Sequence, residues 1–338
     1  MNYEQDALQG HVAVHPENPP QPSTLPSRFK RYGLPSLLLG VSMVTTTAIG
    51  ARYMQNFLDG MPTVVTESDL WPWPWLLHEP SRFQLGWPFS LTLLTILISH
   101  EFGHYFACRI HGIRCTLPWV LPAPTLSGTA GAVIQIRGRI PNRRALMDVG
   151  AYGPLAGYAA SLVAVAVGLL LSRPTIQGVV RPLISFGHPV TLTLVHDLLH
   201  ALSHPAVPRF EAALQHPVLI AGWVGLFITA LNLIPAGQLD GGHILFALSP
   251  RWHRAVSKFL PPLLIVFGFY FWIGWLFWGA LLWIPAMRHP PVPEGHSLGR
   301  RRVLAFLCFG VFLLTFAVEP FQESSIWWYM HWPRIPGL

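Results

Sequence analysis

Two histidines and a glutamate follow directly after an apolar run, and this placement constrains the chain more than any other feature. The run covers residues 91–98, and after Ser99 comes the pattern HEFGH, with His100, Glu101 and His104. On a helix, His100 and His104 lie one turn apart on one face, where two imidazoles can bind one zinc ion. Ionisable groups in a membrane-spanning helix are costly and indicate function. The pattern therefore predicts an intramembrane zinc site; surface histidines on an amphipathic helix are the alternative, which the apolar run disfavours.

Glu101 has a separate predicted role, because it lies about 100° around the helix from His100. From there its carboxylate can reach a water molecule at the metal without having to bind the metal itself. Such a carboxylate acts as a general base and then passes the proton to the leaving amine. We therefore predict a zinc hydrolase with Glu101 as its catalytic residue and one Zn²⁺ per chain.

The composition places these residues in a membrane protein. The chain is 51% hydrophobic and only 11% charged, whereas soluble domains have about 25% charged residues. Several apolar runs reach the length that spans a bilayer. The net charge of +7 does not indicate nucleic-acid binding, because the basic residues lie in short segments beside apolar runs. The three cysteines form no CxxC pattern, so we expect neither a disulfide nor a thiolate zinc site.

The apolar runs predict an all-α, multi-pass integral membrane protein with about six to seven transmembrane helices. The expected single spans are about 35–57, 85–110, 145–171, 216–236 and 303–318. The apolar segment 259–287 has positive charge at both ends, which favours a tight hairpin of two short spans over one long tilted helix. Residues 173–215 are rich in histidine and proline and are expected to form a solvated external loop, although their histidines could also bind a metal.

These runs divide the chain into five predicted parts. They are a disordered cytoplasmic tail at 1–33, a first transmembrane helix and external loop at 34–84, a catalytic core at 85–245, accessory C-terminal transmembrane helices at 246–320 and a C-terminal tail at 321–338. Basic segments at 28–31, 109–144 and 251–258 are expected on the cytoplasmic side. The HEFGH pattern and Asp240 each lie beside one of these segments, so both are predicted near the cytoplasmic face.

A zinc hydrolase usually has a third protein ligand, and three side chains near the predicted span ends are candidates. They are Asp148, Asp240 and His243. Asp240 is favoured because glycines at 241 and 242 let the backbone and the metal approach closely. Asp148 is expected instead to cap the helix that starts near 145, where its charge suits a helix N-terminus.

Three further patterns concern helix packing and substrate contact. Residues 150–157 are mostly small, which allows close packing between helices. Residues 132–137 approach strand alternation and predict a short β-hairpin or re-entrant segment, whose open edge could pair with an unwound substrate; a plain loop is the alternative. Asn232 is predicted to hydrogen-bond the extended substrate or the developing oxyanion, or else to join two helices.

The patterns described above, in their order along the chain, resemble those of the site-2 protease family of intramembrane zinc metalloproteases, peptidase family M50. The matching residues are HEFGH at 100–104, the small residues at 150–157, and NLIP at 232–235 leading to LDGG at 239–242. The resemblance implies a site-2-protease-like catalytic core over 85–245. It also implies roles for individual residues: zinc binding by His100, His104 and Asp240, water activation by Glu101, and substrate handling by Asn232 and Pro235.

The stretch 232–243 is similar to the plant and bacterial branch named for ethylene-dependent gravitropism-deficient and yellow-green (EGY) proteins. No stretch between the predicted spans is long enough for a PDZ domain, so an EGY-like branch without that domain is implied. The expected location is a bacterial inner membrane, or a chloroplast membrane if the source is a plant.

The favoured function is therefore an intramembrane zinc metalloprotease that cleaves membrane-protein substrates within or near their transmembrane segments. The alternative is a transporter or another protein that handles a metal or protons with intramembrane histidine and aspartate. That class has no evident use for a glutamate beside the first histidine, and the chain lacks paired repeats. A catalytically inactive relative is disfavoured because all four site residues are intact. Expected partners are transmembrane protein substrates and the lipid bilayer, but no nucleic acid, and the oligomeric state is left open.

Overall fold

The computed structural model describes residues 29–175, 180–202, 206–294 and 297–331. Residues 1–28 and 332–338 of the predicted tails, and His204 of the histidine-rich segment, lie outside the described residues. The helices are α1 Leu34–Leu58, α2 Trp73–His78, α3 Trp87–Ile110, α4 Arg143–Leu171, α5 Val190–Ala201, α6 Pro217–Asn232, α7 Asp240–Leu248, α8 Pro250–Tyr270, α9 Gly274–Trp283, α10 Arg302–Thr315 and α11 Ile326–His331. The strands are β1 Trp119–Pro122, β2 Thr129–Val133, β3 Arg173–Pro174 and β4 Ala213–Leu214.

The long helices lie where the apolar runs predict them. Among the described residues, two helices are long and apolar enough to cross a membrane by length and composition: Arg31–Leu58, which contains α1, and Arg143–Leu171, which is α4. The apolar helices α6 and α9 are shorter. The fold is mostly helical, and the total of six to seven transmembrane helices stays a prediction.

Two segments that were expected to lack regular structure contain helical residues. Residues 29–33 of the predicted disordered tail form a π turn that leads into α1. The predicted external loop at 173–215 contains α5, which buries Leu192, Val195 and Leu199. These three side chains are spaced three and four residues apart, so they share one helix face, and that face joins the main hydrophobic core. Burial of this apolar face explains why the segment is not a solvated loop.

The apolar segment 259–287 forms the predicted helical hairpin and not one long helix. The helices α8 and α9 pack against each other, and α8 already begins at Pro250, where the Ser249 hydroxyl accepts a hydrogen bond from the Trp252 N–H. The helix α9 has 10 residues and is therefore about 15 Å long. Since the hydrocarbon core of a bilayer is about 30 Å thick, α9 alone is too short to cross it. The expectation that the two helices are two short spans stays a prediction.

The centre of the fold is α4, which packs against α3, α6 and α7. Small residues make this packing close: a Cβ on Gly168 of α4 would clash with the backbone of Leu219 in α6. Apolar side chains of α3, α4 and α6 then form one core, which includes Leu97, Val165 and Leu226. Close helix contact through small residues is the usual way that membrane helices associate.

A β-hairpin follows α3 and rests on α1. The strands β1 and β2 are antiparallel, with Val120 opposite Ala132. From α1, the Ser42 hydroxyl donates to the Val120 carbonyl at 3.1 Å, and the Tyr53 hydroxyl donates to the Leu126 carbonyl at 2.6 Å. A Cβ on Gly128, whose φ is +75°, would lie 2.7 Å from the Thr45 carbonyl oxygen. A hairpin is thus present, with α1 as the helix that supports it, but β2 shares only residues 132 and 133 with the predicted strand segment 132–137.

Candidate metal centre and active site

The two histidines of the HEFGH pattern are buried on one face of α3. The Nε2 atoms of His100 and His104 lie 3.1 Å apart. The Nδ1–H of His104 donates to the Val149 carbonyl of α4 at 2.7 Å. That hydrogen bond leaves the Nε2 lone pair of His104 free to bind a metal, because a neutral imidazole carries one ring proton. A backbone carbonyl commonly orients a metal-binding histidine in this way.

Asp240 comes from a remote part of the chain and is the first residue of α7. Its Oδ2 atom lies 3.3 Å from Nε2 of His100 and 3.3 Å from Nε2 of His104. The chain reaches this position through a tight turn after α6, in which Gly237 has a φ of +61°. A Cβ on Gly242 would lie 2.6 Å from the Ala236 carbonyl oxygen. The glycines around Asp240 are therefore required by the backbone path that brings its carboxylate to α3.

These three donor atoms fit a single zinc ion. Two ligand atoms that share one tetrahedral zinc lie about 3.3 Å apart, given zinc–ligand distances of about 2.0–2.1 Å. The three separations among His100, His104 and Asp240 are 3.1, 3.3 and 3.3 Å. Two imidazoles and one carboxylate form the ligand set of several catalytic zinc sites, which keep a fourth position open. The residues present thus suit a catalytic zinc site rather than a closed structural one.

Glycines of α4 face these ligands and explain the small residues at 150–157. A Cβ on Gly153 would overlap the His104 ring, and a Cβ on Gly157 would lie 2.9 Å from Nδ1 of His100. A Cβ on Gly150 would lie 3.1 Å from the Asp240 carbonyl oxygen. One side-chain-free face of α4 therefore contacts all three candidate ligands. The small residues predict close helix packing here, and the structure shows that the groups packed against them are the candidate ligands themselves.

Glu101 is buried beside the ligands and contacts the hairpin. Its carboxylate can approach the two histidines, since one donor atom from each of His100, Glu101 and His104 lies within 4.8 Å of the others. The backbone N–H of Ile134, just after β2, donates a hydrogen bond to the Glu101 carboxylate. The hairpin therefore fixes the predicted general base, a contact that the sequence analysis missed because it joins residues 33 positions apart with no shared pattern.

Asn232 reaches the centre, whereas Pro235 shapes the turn behind it. The Nδ2 atom of Asn232, at the end of α6, lies 3.4 Å from Nε2 of His100. Pro235 follows in the turn between α6 and α7, and α6 ends at Asn232, four residues before the predicted 236, because a proline cannot continue the helix. The substrate-handling roles of both residues stay predictions.

The other two candidates for the third zinc ligand, Asp148 and His243, have different partners. Asp148 is buried and accepts hydrogen bonds from His111 at 2.7 Å and from Arg301 at 2.8 Å. The cap of α4 is Asn142, whose side chain accepts from the Ala145 N–H, so the expectation that Asp148 caps this helix is wrong. His243 is hydrogen-bonded to Nε2 of His289 through its Nδ1, at 2.9 Å. Asp148 instead ties the end of α3 to the turn before α10.

Comparison with known proteins gives a family match and several relatives. Residues 88–274 match the family model described as "Peptidase family M50". The chain is 34% identical over 215 residues to "Probable zinc metalloprotease EGY1, chloroplastic" of Arabidopsis thaliana, covering 57% of this chain and 38% of the relative. It is 37% identical over 161 residues to the protein of the same name in Oryza sativa subsp. japonica, covering 47% and 27%.

A third relative, "Probable zinc metalloprotease EGY2, chloroplastic" of Arabidopsis thaliana, is 32% identical over 172 residues, covering 51% of this chain and 30% of the relative. The matched part of this chain corresponds to less than two fifths of each of these three relatives. The residues that the family model matches contain the helices that carry the histidine pair and Asp240. The family model and these relatives together support an EGY-like protein.

Proposed function

The chain belongs to peptidase family M50, and from this premise we propose that it is an intramembrane zinc metalloprotease. Its substrates are membrane proteins, cleaved within or near their transmembrane segments. The observation that carries this proposal is the convergence of His100, His104 and Asp240 on one point beside Glu101. Relatives whose names include "zinc metalloprotease" support the same chemistry.

We propose that His100, His104 and Asp240 hold one zinc ion per chain. When bound, zinc would supply Lewis-acid polarisation of the scissile carbonyl and lower the pKa of a water molecule. The contribution of the protein is to fix the donor atoms beforehand. The Val149 carbonyl fixes the ring of His104, and the glycines of α4 allow both rings to lie against that helix.

Glu101 moves the proton in the proposed reaction. One carboxylate oxygen accepts a proton from the water molecule whose oxygen forms a bond with the peptide carbonyl carbon. The same oxygen then gives the proton to the amide nitrogen as the C–N bond breaks, so the residue ends in its starting state. The Ile134 N–H holds the carboxylate in place, and the Nδ2 group of Asn232 is close enough to the centre to donate to the developing oxyanion.

A transmembrane substrate must be unwound before this step, because helical hydrogen bonds occupy its peptide groups. Among the described residues, β2 has β1 as its single strand partner, so its other edge is not paired with a strand. The segment that continues β2 contacts Glu101 through Ile134. We propose that the unwound substrate adds to this edge as an extended strand, which brings its backbone toward the catalytic carboxylate.

The site is proposed to lie near the cytoplasmic face of a bacterial inner membrane, or the corresponding face of a chloroplast membrane. The basis is the predicted cytoplasmic position of segments 28–31, 109–144 and 251–258. A variant without native cysteines would receive single cysteines at the exposed positions 68, 114 and 251. In intact cells, an impermeant thiol reagent should label position 68 and not 114 or 251. Labelling of either basic segment from outside would contradict this topology.

The catalytic assignment is tested with the variant Glu101→Gln. The control variant is Glu67→Gln, which changes an exposed glutamate outside the HEFGH pattern. A panel of single-span proteins is co-expressed with each variant, and zinc content is measured alongside cleavage. Glu101→Gln should keep its zinc, retain uncleaved clients and lose about 10²–10⁴-fold in rate, while Glu67→Gln stays within about twofold of the parent. Parental cleavage by a zinc-loaded Glu101→Gln protein would refute the mechanism and favour the transporter alternative.

A further inference from the structure

A cleft with a volume of about 710 Å³ lies between α8, the end of α9 and the loop that follows it. It is separate from the metal centre, although it begins one turn away from Asp240. Its lining includes Arg254 and Lys258 of α8 and Arg288 of the loop. It also includes the apolar residues Leu282, Trp283 and Ile284. The cleft thus combines cationic and apolar side chains.

The three cations lack an anionic partner in the described part of the chain. No aspartate or glutamate lines the cleft, and the arginine and lysine ion pairs found among the described residues involve other side chains. Arg254 and Lys258 are four residues apart on α8, so they share a face and repel each other. An anion in the cleft would relieve this repulsion. The charge arrangement therefore favours an anionic ligand with several acceptor oxygens, which is the chemistry of a phosphate group.

The apolar part of the lining indicates which molecule carries that phosphate. The side chains of Trp283 and Ile284 are 62% and 48% exposed, and they end the apolar helix α9. Tryptophan beside basic residues is typical of the interface between a membrane and water. Basic pockets between membrane helices on the cytoplasmic side bind lipid headgroups. A lipid can place its phosphate on the cations and its acyl chains along α9, which a soluble phosphate cannot do.

The same cleft holds the turn that carries Asp240. The Ser257 hydroxyl accepts from the Gly237 N–H at 3.1 Å, and Nε2 of His253 is hydrogen-bonded to the Gly237 carbonyl at 2.9 Å. The Gln238 side chain donates to the Arg288 carbonyl at 2.9 Å. A ligand that orders α8 and the loop at 288 would therefore steady the turn before the candidate zinc ligand.

We propose that this cleft is a binding site for an anionic phospholipid, whose phosphate-bearing headgroup contacts Arg254, Lys258 and Arg288. The site does not depend on the catalytic residues. The probe is fluorescent dioleoyl phosphatidic acid, and its binding to the detergent-solubilised full chain is followed by fluorescence anisotropy. Dioleoyl phosphatidylcholine and glycerol 3-phosphate serve as unlabelled competitors, the first with a neutral headgroup and the second without acyl chains.

The test compares two triple variants that remove the same number of charges. The cleft variant is Arg254→Gln, Lys258→Gln and Arg288→Gln. The control variant is Arg251→Gln, Arg300→Gln and Arg302→Gln, at exposed positions that do not line the cleft. Three basic residues beside an anionic lipid are together worth about 100-fold in affinity. The cleft variant should therefore bind phosphatidic acid at least about tenfold more weakly than the parent, and the control variant should stay within about twofold.

Equal loss in both triple variants would overturn the proposal, because it would mean general attraction to the membrane surface. Full displacement by phosphatidylcholine, or by glycerol 3-phosphate at the same concentration, would overturn it as well. If the cleft triple fails to fold, Arg288→Gln alone should still weaken binding about fivefold, since this residue lies in a loop; parental affinity would refute the assignment. Glu101→Gln should bind the lipid like the parent, so failure of the protease proposal and failure of this one are distinguishable.

Discussion

Two helices of this protein carry histidines at the same spacing with an acidic residue after the first, yet they build different environments. The helix α3 has HEFGH at 100–104, and α5 has HDLLH at 196–200. In α3 the imidazole Nε2 atoms converge at 3.1 Å and Asp240 joins them. In α5 the rings of His196 and His200 are nearly parallel, at 11°, with centroids 6.2 Å apart.

The difference comes from what each helix faces. Nδ1 of His196 is 3.0 Å from the carboxylate of the adjacent Asp197, and its Nε2 is 3.3 Å from the Val207 carbonyl, so both ring nitrogens already have protein partners. His200 is exposed. By contrast, α3 faces the glycines of α4, which leave room for two rings and a remote carboxylate. Spacing alone therefore does not create a metal site; a side-chain-free surface opposite the histidines is also needed.

The largest expected effect is loss of zinc from the first pattern and not from the second. His100→Ala with His104→Ala removes two of three donors, so zinc should fall from about one per chain to background, together with all client cleavage. His196→Ala with His200→Ala should leave zinc content and cleavage within about twofold of the parent. Elemental analysis of purified protein measures the metal. Full zinc occupancy in the first double variant would mean that the assigned centre is wrong.

The second-largest effect is expected from the glycine surface of α4, which consists of Gly150, Gly153 and Gly157. In Gly153→Ala the new methyl group would overlap the His104 ring, so the ring or the helix must shift. Overpacking usually costs about 1–3 kcal/mol, and we expect the upper end or more, with at least about tenfold weaker zinc retention. Gly310→Ala on α10 is the matched control, because its Cβ meets no atom within 4 Å. Zinc retention during dialysis against a chelator compares the two, and equal retention would refute the role of the glycine surface.

These contrasts show which parts of the site follow from the sequence. The histidine spacing predicts that His100 and His104 share one helix face, and the LDGG stretch predicts Asp240 as the third ligand. Both predictions depend on local geometry. The Asp240 prediction needed only a few polar residues near span ends and glycines that permit close approach. The contact between Ile134 and Glu101 could not be predicted, since it depends on how the hairpin rests on α1. The partners of Asp148 were missed for the same reason: three elements meet there only after packing.

In the fold, as in the site, the features that depend on local sequence were the predictable ones. Long apolar runs located α1, α3, α4 and α6 within a few residues, because burial and helix length leave few alternatives. The helix α5 does not follow from the sequence, because its histidine and proline content is typical of a loop, whereas its short apolar stripe packs on the core. A stripe of three residues is too short to outweigh composition in a single sequence.

Two carboxylates outside the predicted membrane spans show the same contrast between a buried and an exposed group. Asp69, in the turn Glu67–Leu70, is fully buried and accepts from the backbone N–H groups of Val65 and Thr66 at 2.7 and 3.0 Å. It is also paired with Arg52 of α1 at 2.6 Å. Asp197 of α5 keeps 60% of its side chain exposed. The first carboxylate links the predicted external loop to α1, while the second lies on the surface.

The smallest expected effect is on the stability of the fold. Replacing Asp69 should lower this stability in a pH-dependent way, whereas replacing Asp197 should hardly change it. Burial alone raises the pKa of Asp69. The hydrogen bonds from the backbone N–H groups of Val65 and Thr66 and the charge of Arg52 together lower this pKa by more, so the folded-state pKa lies below its ordinary value. Such a group stabilises the fold above the ordinary aspartate pKa of about 3.9, and this stabilisation is lost as the pH falls through the folded-state value. Asp69→Asn should therefore cost about 2 kcal/mol at neutral pH, and the difference from the parent should shrink only below about pH 4. Asp197→Asn should change stability by less than about 0.5 kcal/mol. Thermal unfolding in detergent at several pH values measures both, and a cost for Asp69→Asn that stays the same well below pH 4 would contradict the ionised, hydrogen-bonded state assigned to this carboxylate.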